Sequence, residues 1–442
     1  MHTKINLTNI VMDADASRGT YAVDLPQTKA RLEIQDIANR QNVVGQFALV
    51  SETAPGTFEA VRDPLGIGKM FYTVLESGEL QFSPQWPKLL QYKTPVFSLP
   101  RGQHVRLSAD GTRTLINDFT PRTDLAEKLV NPDIKTAAHF TDSPQGKLFQ
   151  SLLQERVDAA FSVLAALEDS GFSVYIALSG GLDSAIIANA AVKHLRHPVA
   201  CTLDLGKSED AEKSALITSA IGIPQEIFAT SETEILDAVA VSPSLCQDYR
   251  DFNVHCTALN VLLAKNIQRL AKSHGVPEGK AIVLTGDTMN ELTCDYHAEE
   301  VDGTIYYRLP RVNSKMLQQM LVGGLDTSDR ELLPFLNYGL SCIQPYAVAY
   351  DLYTALPENV LEIEDIKRAL NGHLVPGKVM EMLPKSKLRA QVGSKESMGV
   401  LGLCHQRGIS ERNFLDNLIG KPDSEKKLVP ITMGRWETEK FK

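Results

Sequence analysis

The sequence predicts an α/β protein whose larger, carboxy-terminal part is built on a parallel sheet and follows a β-rich amino-terminal part. After residue 172, short apolar segments alternate with helical ones, which is typical of a parallel sheet covered by helices on both faces. The first part instead shows short strand patterns between turn residues. A polar stretch at 118–145, with Pro121, Pro132 and Pro144, is expected to link two domains, 1–125 and 145–442.

The amino-terminal strands are predicted from apolar runs that lie next to turn residues. These runs are 46–50, 70–75, 79–82 and 99–107. The dipeptide Asp110-Gly111 adds a hairpin signal after the last run. The first domain is therefore expected to consist mainly of antiparallel strands.

The carboxy-terminal elements are predicted from the spacing of apolar residues, which changes between helical and strand patterns. An amphipathic helix is predicted over 149–164 and is closed by Ser170-Gly171. Continuous apolar strands are expected at 174–178, 199–203 and 281–285, and helices at 185–195, 210–221 and 254–272. From about residue 330 onward the pattern is mainly helical.

Composition narrows the class of protein. Apolar residues make up 43% of the chain and charged residues 22%, as in soluble globular proteins. No apolar run approaches the roughly 18–20 residues that span a bilayer, and the start of the chain carries no export signal, so we expect a cytoplasmic protein. A net charge of −9 argues against nucleic acid as a partner. The six cysteines form no CxxC pair, which indicates reduced thiols.

One loop carries most of the chemistry. The strand at 174–178 runs into Ser179-Gly180-Gly181-Leu182-Asp183-Ser184, and a helix follows at once. Glycines let backbone N–H groups approach an anion, and a helix N-terminus adds donors and a favourable dipole. Asp183 would repel phosphate unless it holds a Mg²⁺ that bridges the phosphates. The pattern predicts a polyphosphate site, without the spacing of a Walker A loop.

These segments resemble a known family. The loop at 179–184 resembles the SGGxDS pyrophosphatase loop of the N-type ATP pyrophosphatases, which cleave ATP between the α and β phosphates and adenylate an oxygen. Residues 62–72 resemble the RDxxGxxPLYY stretch of the asparagine synthetase glutaminase domain. Residues 283–292 resemble that family's second ATP-site loop, and residues 383–394 the lysine loop of β-lactam synthetase. The chain as a whole is similar to the asparagine synthetase/β-lactam synthetase family.

The resemblance implies a fold and a set of ligands. The first domain would be a degenerate Ntn-hydrolase-like αββα sandwich. The second would be an adenine nucleotide α-hydrolase-like ATP-pyrophosphatase domain with a helical carboxy-terminal part. ATP and Mg²⁺ are the implied cofactors, with Asp183 and Asn290 as metal ligands. The residues expected to bind the nucleotide are Leu178, Ser179, Gly180, Gly181, Asp183, Ser184, Leu203 and Gly286.

The amino-terminal domain departs from the family at its catalytic position. A class II glutaminase needs a cysteine at position 2, where this sequence has His2, and no cysteine precedes Cys201. We therefore expect no glutamine hydrolysis. β-Lactam and carbapenam synthetases show the same loss, and in them an amine of the substrate itself closes the ring. The chain is also similar, more remotely, to the lasso-peptide cyclases.

The second loop departs as well. Asn290 falls where the family has its metal-binding aspartate, and an amide oxygen can ligate Mg²⁺ only without charge. Asp287 falls where asparagine synthetase has glutamate and β-lactam synthetase tyrosine, so it either joins the metal set or acts near the amine. The partner glutamate of that tyrosine corresponds to Glu331 or Asp329.

The predicted activity is that of an AMP-forming C–N ligase. It would adenylate a small-molecule or peptide carboxylate and join it to an amine, in specialised metabolism such as antibiotic biosynthesis. Lys387, or alternatively Lys385, is expected beside the developing oxyanion. Ammonia-dependent asparagine synthetase-like amidation, a tRNA-modifying ATP pyrophosphatase and a non-catalytic nucleotide-binding scaffold are the alternatives. No membrane partner is expected, and the oligomeric state stays open, a homodimer included.

Overall fold

A computed structural model describes residues 5–6, 11–13, 20–25, 33–37, 43–119, 125–131, 133–206, 209–295, 299–301, 304–306, 327–383, 389–392 and 399–419. The chain divides into two compact units. The first comprises Met1–Arg122, Gln318–Asp329 and Leu415–Lys442, and the second Thr123–Leu317 and Arg330–Phe414. Within the described ranges, no helix is long and apolar enough to cross a membrane.

The described residues of the first unit form three sheets. One holds β1 (Ile5–Asn6), β2 (Val11–Asp13), β3 (Thr20–Val23) and β4 (Val43–Gln46), with β3 and β4 parallel. The second is antiparallel and holds β5 (Ala48–Ala54), β6 (Thr57–Arg62), β10 (Gln103–Ser108) and β11 (Arg113–Asp118). The third holds β7 (Phe71–Val74), β8 (Leu80–Ser83) and β9 (Val96–Ser98). Helix α1 (Ile34–Ile37) and a 3₁₀ helix (Trp86–Tyr92) accompany them.

The strand predicted at 46–50 is two strands. β4 ends at Gln46, β5 starts at Ala48, and the two belong to different sheets. Phe47 lies between them, buried, and donates its backbone N–H to Asp63 Oδ2 at 3.2 Å. The apolar pattern was therefore right about burial, but a side-chain acceptor replaces the sheet partner at this residue.

The segment 62–68 is an internal polar turn. Arg62 is 2% exposed and donates to the carbonyl oxygens of Gly66 and Gly68 at 2.7 Å and of Leu99 at 2.8 Å. Asp63 accepts the N–H of Gly68 at 2.7 Å. Because each contact satisfies a buried polar group, this arginine and aspartate hold the turn in place. The assignment of the unit as a degenerate Ntn-hydrolase-like domain stays a prediction.

The second unit is built on a parallel sheet of five strands in the order β14-β13-β12-β15-β18. The strands are β12 (Ser173–Ala177), β13 (Val199–Asp204), β14 (Gln225–Ala229), β15 (Ala281–Leu284) and β18 (Ser341–Ile343). A separate hairpin pairs β16 (Glu299–Val301) with β17 (Thr304–Tyr306). The sheet confirms the predicted α/β class.

Helices surround this sheet and dominate the chain after it. Those up to the end of β15 are α2 (Leu125–Leu129), α3 (Ala137–Asp142), α4 (Pro144–Asp169), α5 (Leu182–His194), α6 (Glu209–Ile221), α7 (Glu232–Cys246) and α8 (Asp251–Ser273). The later ones are α9 (Met289–Leu292), α10 (Thr327–Asn337), α11 (Tyr350–Thr354), α12 (Glu358–Leu361), α13 (Ile366–Asn371), α14 (Gly377–Met382), α15 (Gly399–Gln406) and α16 (Glu411–Ile419). Two 3₁₀ helices, Pro345–Ala349 and Gly372–Leu374, complete the mainly helical carboxy-terminal part.

The predicted linker at 118–145 contains helices. Thr136 caps α3 by accepting the N–H of His139 at 3.1 Å, and Ser143 caps α4 by accepting the N–H of Gly146 at 3.0 Å. Pro144 is the first residue of α4, where its missing N–H costs nothing. This proline therefore starts a helix, and the domain linker at 118–145 stays a prediction.

The strand order places two loops side by side. β12 is the central strand, with β13 and β14 on one side and β15 and β18 on the other. Ile176 of β12 pairs in register with Leu284 of β15, so both strands end at the same level. Ligands of open α/β sheets bind at such a reversal of strand order, outside the carboxyl ends of the strands. The loops after β12 and β15 are the segments singled out by the sequence.

Candidate functional site

The loop after β12 is closed by its two serines. The Ser184 hydroxyl accepts the N–H of Ser179 at 3.1 Å and lies 3.0 Å from the Ser179 hydroxyl. Helix α5 begins at Leu182, and its N-cap Gly181 provides no side-chain capping bond. Unpaired N–H groups at a helix N-terminus favour an anion. The strand, loop and helix have the geometry expected of a polyphosphate site.

Two glycines are required by close packing around this loop. A Cβ at Gly180 would lie 2.6 Å from Cβ of Lys213, which belongs to α6. A Cβ at Gly286 would lie 2.9 Å from the backbone nitrogen of Ser184 and 3.0 Å from the carbonyl carbon of Asp183. The loop after β15 therefore rests directly on the loop after β12, with no room for a side chain between them.

Leu178 and Leu203 support the sheet edge. Leu178 is 3% exposed, donates its N–H to the carbonyl of Cys201 at 2.9 Å and accepts from the Thr202 hydroxyl at 2.9 Å. Leu203 is half-buried and packs against the core between the sheet and α8. Leu178 could reach a nucleotide only through its backbone, because its side chain is enclosed.

A lysine that the sequence did not single out lies at the centre of the site. Lys367, in α13, places its Nζ 2.8 Å from Oδ2 of Asp183 and 3.0 Å from Oδ2 of Asp295, and it also hydrogen-bonds Oδ1 of Asn290. The Lys367 carbonyl accepts a hydrogen bond from the Asn371 side-chain amide at 2.9 Å, within the same helix. We call these four side chains, Asp183, Asn290, Asp295 and Lys367, the cation cluster.

The opposite charges in the cation cluster shift each other's pKa values. Burial alone would lower the pKa of the Lys367 ammonium, but the carboxylates of Asp183 and Asp295 raise it above its ordinary value. The lysine is therefore charged at neutral pH. Burial raises the pKa of the Asp183 carboxyl, against the opposing effect of Lys367. The Tyr346 hydroxyl donates to the Asp183 carbonyl at 2.7 Å and fixes the first turn of α5.

The oxygen atoms around Lys367 fit a divalent cation of the Mg²⁺ type. Two carboxylates and one amide converge on one position, and Mg²⁺ prefers oxygen ligands. Oδ1 of Asp183 is buried and has no hydrogen-bond partner among the described residues, so it has a lone pair to offer a metal. Within the same ranges, no group of three or more His, Cys, Asp or Glu side chains is placed to hold a metal. A metal here would depend on Asn290 and on phosphate oxygens for the rest of its ligands.

A second group of polar side chains lies at the same sheet edge. Glu331 is 4% exposed and accepts at Oε2 from the Thr285 hydroxyl at 2.6 Å and from the Gln344 amide at 2.8 Å. Asp287 hydrogen-bonds the same carboxyl group. Burial, followed by the charge of Asp287, raises the pKa of Glu331 well above the ordinary carboxyl range. We call Asp287 and Glu331 the carboxyl pair.

Arg330 lies beside the carboxyl pair. Its Nη2 is 3.8 Å from Oδ2 of Asp287 and 3.7 Å from Oε1 of Glu291. Its Nη1 donates to Asn253 at 3.1 Å, and the guanidinium lies 5.1 Å from the ring centre of Phe252. At 3.8 and 3.7 Å these two contacts are ion pairs longer than hydrogen bonds, and they bring a positive charge to both carboxylates.

The structure brings most of the predicted residues together. Asp183 and Asn290 meet through Lys367, and Asp287 meets Glu331. Among the described residues, Asp287 makes no contact with Lys367, and it lies beside Glu331 and Arg330. The prediction for Lys387, and for its alternative Lys385, lies outside the described residues, and the roles of all these residues stay predictions.

Sequence reasoning missed Lys367 and Asp295. Asp295 ends the turn after α9, where its N–H donates to the carbonyl of Asn290 at 3.0 Å. An acidic residue five positions after Asn290 was a usable signal. Lys367 gave none, because it lies in a short helix and is 184 residues from Asp183 in the sequence.

Comparison with known families identifies the region around the site. Residues 162–331 match the family model described as asparagine synthase. The matched segment contains the loop after β12, the loop after β15 and Glu331, and it confirms the resemblance over this part of the chain. It supports an ATP-using enzyme of the amide-forming or ligase type. None of the curated proteins matches the chain.

Several solved structures show a distant likeness. NMN synthetase from Francisella tularensis is 15% identical with a TM-score of 0.29, covering 63% of this chain and 88% of that one. NH3-dependent NAD synthetase from Campylobacter jejuni is 16% identical with a TM-score of 0.24, covering 34% and 61%. A "predicted subunit of tRNA methyltransferase" from Methanocaldococcus jannaschii is 12% identical with a TM-score of 0.24, covering 59% and 97%. Likeness at this level carries no argument about activity.

Proposed function

We propose that this protein is an ATP-dependent amide ligase that adenylates a substrate carboxylate, releases pyrophosphate and joins the acyl group to an amine without hydrolysing glutamine. The observation that carries the proposal is the meeting, at adjacent strand ends, of an anion-binding loop, a set of oxygen ligands suited to Mg²⁺ and a buried carboxyl pair. Each serves a different requirement of the reaction. The amine belongs either to the same molecule as the carboxylate or to a second one.

The first half-reaction uses the loop after β12. The backbone N–H group of Gly181 and the hydroxyls of Ser179 and Ser184 would hold the pyrophosphate group as the carboxylate attacks the α-phosphorus. The Gly180 N–H, which donates to Asp210 Oδ1 at 3.4 Å in the structure, would turn to the phosphate. Asp183, Asn290 and Asp295 would hold Mg²⁺, which supplies charge neutralisation of the triphosphate. Gly286 keeps the two loops in contact, so that the nucleotide site and the amine site stay at a fixed distance.

The second half-reaction uses the carboxyl pair. Burial and the charge of Asp287 raise the pKa of Glu331 and favour its protonated form, which would donate a hydrogen bond to Asp287 and hold that carboxylate in place. The Asp287 side chain is 35% exposed, whereas Glu331 is enclosed. Asp287 is therefore the member that would accept the proton of the attacking amine. Lys387 remains the proposed donor to the oxyanion, on sequence grounds alone.

Product analysis tests the proposal. The protein is incubated with ATP, Mg²⁺ and mixtures of carboxylic acids, with ammonium or larger amines, and the nucleotide products are quantified. AMP and pyrophosphate in equal amounts are expected, and added glutamine should release no glutamate. ADP and phosphate as products would contradict the adenylation step. Glutamate formed in step with product would contradict the assignment of the first unit.

A matched pair of variants ties the activity to the site. Asp183→Asn should abolish formation of AMP, because the cation cluster loses a charge. Asp158→Asn is the control, since Asp158 contacts His194 at the opposite end of α5 from the loop, at 2.9 Å. It should keep wild-type rates. Equal loss in both variants would point to a fold defect instead of a site.

A further inference from the structure

The cation cluster already contains a cation, and this cation belongs to the chain. An ammonium group has three N–H donors. Those of Lys367 are matched by Oδ2 of Asp183, Oδ1 of Asn290 and Oδ2 of Asp295. All three oxygen atoms belong to side chains that the proposed function assigns to Mg²⁺. Lysine and metal therefore compete for the same side chains.

Geometry separates the two modes of binding. The Nζ–oxygen distances of 2.8 and 3.0 Å are those of hydrogen bonds, whereas Mg²⁺ needs oxygen atoms at about 2.0–2.1 Å. The oxygen atoms must move closer together for a metal to bind, and they cannot do so around an ammonium. A divalent cation placed beside the fixed charge of Lys367 would also be repelled. The site holds one of the two cations at a time.

The remaining features show that the lysine is an incomplete substitute. Oδ1 of Asp183 stays buried and without a hydrogen-bond partner among the described residues while Lys367 is bound to Oδ2. The ammonium brings one positive charge to two carboxylates, so the cluster keeps a net negative charge. A divalent metal would both give the buried oxygen atom a partner and balance the net charge. The polyphosphate that arrives with it would in turn offer oxygen acceptors to a displaced lysine.

We propose that Lys367 is a resident counter-cation that fills the metal position in the nucleotide-free protein and yields it only when Mg²⁺ arrives with the triphosphate. The inference rests on the proposed function, since it assumes that a metal–triphosphate uses this site. Its consequence is that free metal does not bind, and that metal and nucleotide enter together. Lys367 then moves from the carboxylates to the phosphates and is a positioning residue for the nucleotide.

Binding of Mn²⁺, followed by electron paramagnetic resonance of the nucleotide-free protein, tests this. Wild-type protein should bind Mn²⁺ weakly, and Lys367→Met should bind it at least about tenfold more tightly, because removing a competitor raises the fraction of sites ready for metal. Lys193→Met is the control, since Lys193 is an exposed lysine at the far end of α5. It should behave as wild type. Equal Mn²⁺ affinity in wild type and Lys367→Met would overturn the proposal.

Thermal unfolding provides a second readout that needs no activity. Lys367→Met leaves two carboxylates uncompensated, so its melting temperature should fall and should recover with Mg²⁺ alone, whereas that of the wild type should not respond. If Lys367→Met does not fold even with Mg²⁺, Lys367→Gln, which keeps a donor but no charge, is measured in the same way. Failure of Mg²⁺ to stabilise either variant would overturn the proposal. Failure of the proposed function would give a different result. The wild-type protein would then form no AMP, while Lys367→Met would still bind metal more tightly than the wild type does.

Discussion

The cation cluster and the carboxyl pair lie at the same sheet edge, yet they treat their charges in opposite ways. In the cation cluster, one ammonium is held at 2.8 and 3.0 Å by two carboxylates that act as its ligands. In the carboxyl pair, Arg330 lies 3.8 Å from Asp287, and Glu331 is hydrogen-bonded to Asp287 itself. In the cation cluster the carboxylates stay ionised around a cation, whereas in the carboxyl pair one carboxyl group holds a proton. One loop, 285–295, contributes to both.

Removing the charge of Asp183 should produce the largest effect. Asp183→Asn weakens the cation cluster, so adenylation should fall by more than about a hundredfold, because a metal contributes several kcal/mol of charge stabilisation. Pyrophosphate release in single turnovers measures this step alone. A residual rate above a tenth of the wild-type rate, with the fold intact by circular dichroism, would remove Asp183 from that role.

Changes in the carboxyl pair should separate the two half-reactions. Asp287→Asn removes the proposed proton acceptor, and amide formation should fall by about a hundredfold or more, the usual contribution of general base catalysis. ATP–pyrophosphate exchange should stay near the wild-type rate, because it requires only the first half-reaction. The control is Asp183→Asn, in which exchange is lost too. Equal loss of both activities in Asp287→Asn would mean that the two clusters do not act separately.

The contact between the loops can be loosened without changing any charge. Gly286→Ala places a Cβ 2.9 Å from the backbone nitrogen of Ser184, which backbone movement must relieve at a cost of about 1–3 kcal/mol. Both half-reactions should slow by roughly tenfold, since a shift of that size spreads to both clusters. Gly171→Ala tests only backbone strain, because a Cβ there has nothing within 4 Å. A normal rate in Gly286→Ala would show that the close packing has no role in catalysis.

The raised pKa of Glu331 should have a small effect on how the free energy of unfolding depends on pH. Its pKa is raised in the folded state, so the folded protein keeps a proton that the unfolded chain loses. The free energy of unfolding should therefore decline as pH rises above about 5, where an unfolded glutamate ionises. Glu331→Gln should remove this part of the decline, measured as the difference in urea unfolding between the two proteins. Parallel pH profiles would contradict the assignment of a raised pKa.

The sequence predicted the parts of the fold and site that depend on local pattern. The strand at 173–177, the loop from Ser179 to Ser184 and the helix after it are contiguous, and each supports the others. Strand β18 was not predicted, because Ser341–Ile343 is three residues long and leaves no periodic pattern. The start of α4 at Pro144 was not predicted, because a proline that starts a helix and a proline in a linker look alike until the capping serine is considered.

The site residues that belong to a sequence motif were predictable. Those that only tertiary packing brings to the site were not. Asp287 and Glu331 were paired by resemblance, although the loops between them differ in length from those of the family. Lys367 comes to Asp183 only because α13 packs where it does, and nothing in the residues around 367 reports this. A contact between residues 184 positions apart is set by the tertiary structure as a whole.

The most direct test of the account follows an oxygen atom. A carboxylate substrate labelled with ¹⁸O is converted with ATP and Mg²⁺, and the nucleotide and phosphate products are analysed by mass spectrometry. If the carboxylate attacks the α-phosphorus at the loop of Ser179 to Ser184, one ¹⁸O atom appears in AMP and none in pyrophosphate. Label in inorganic phosphate, together with ADP, would contradict the account, because it would mean attack on the γ-phosphorus and an acyl phosphate in place of an adenylate.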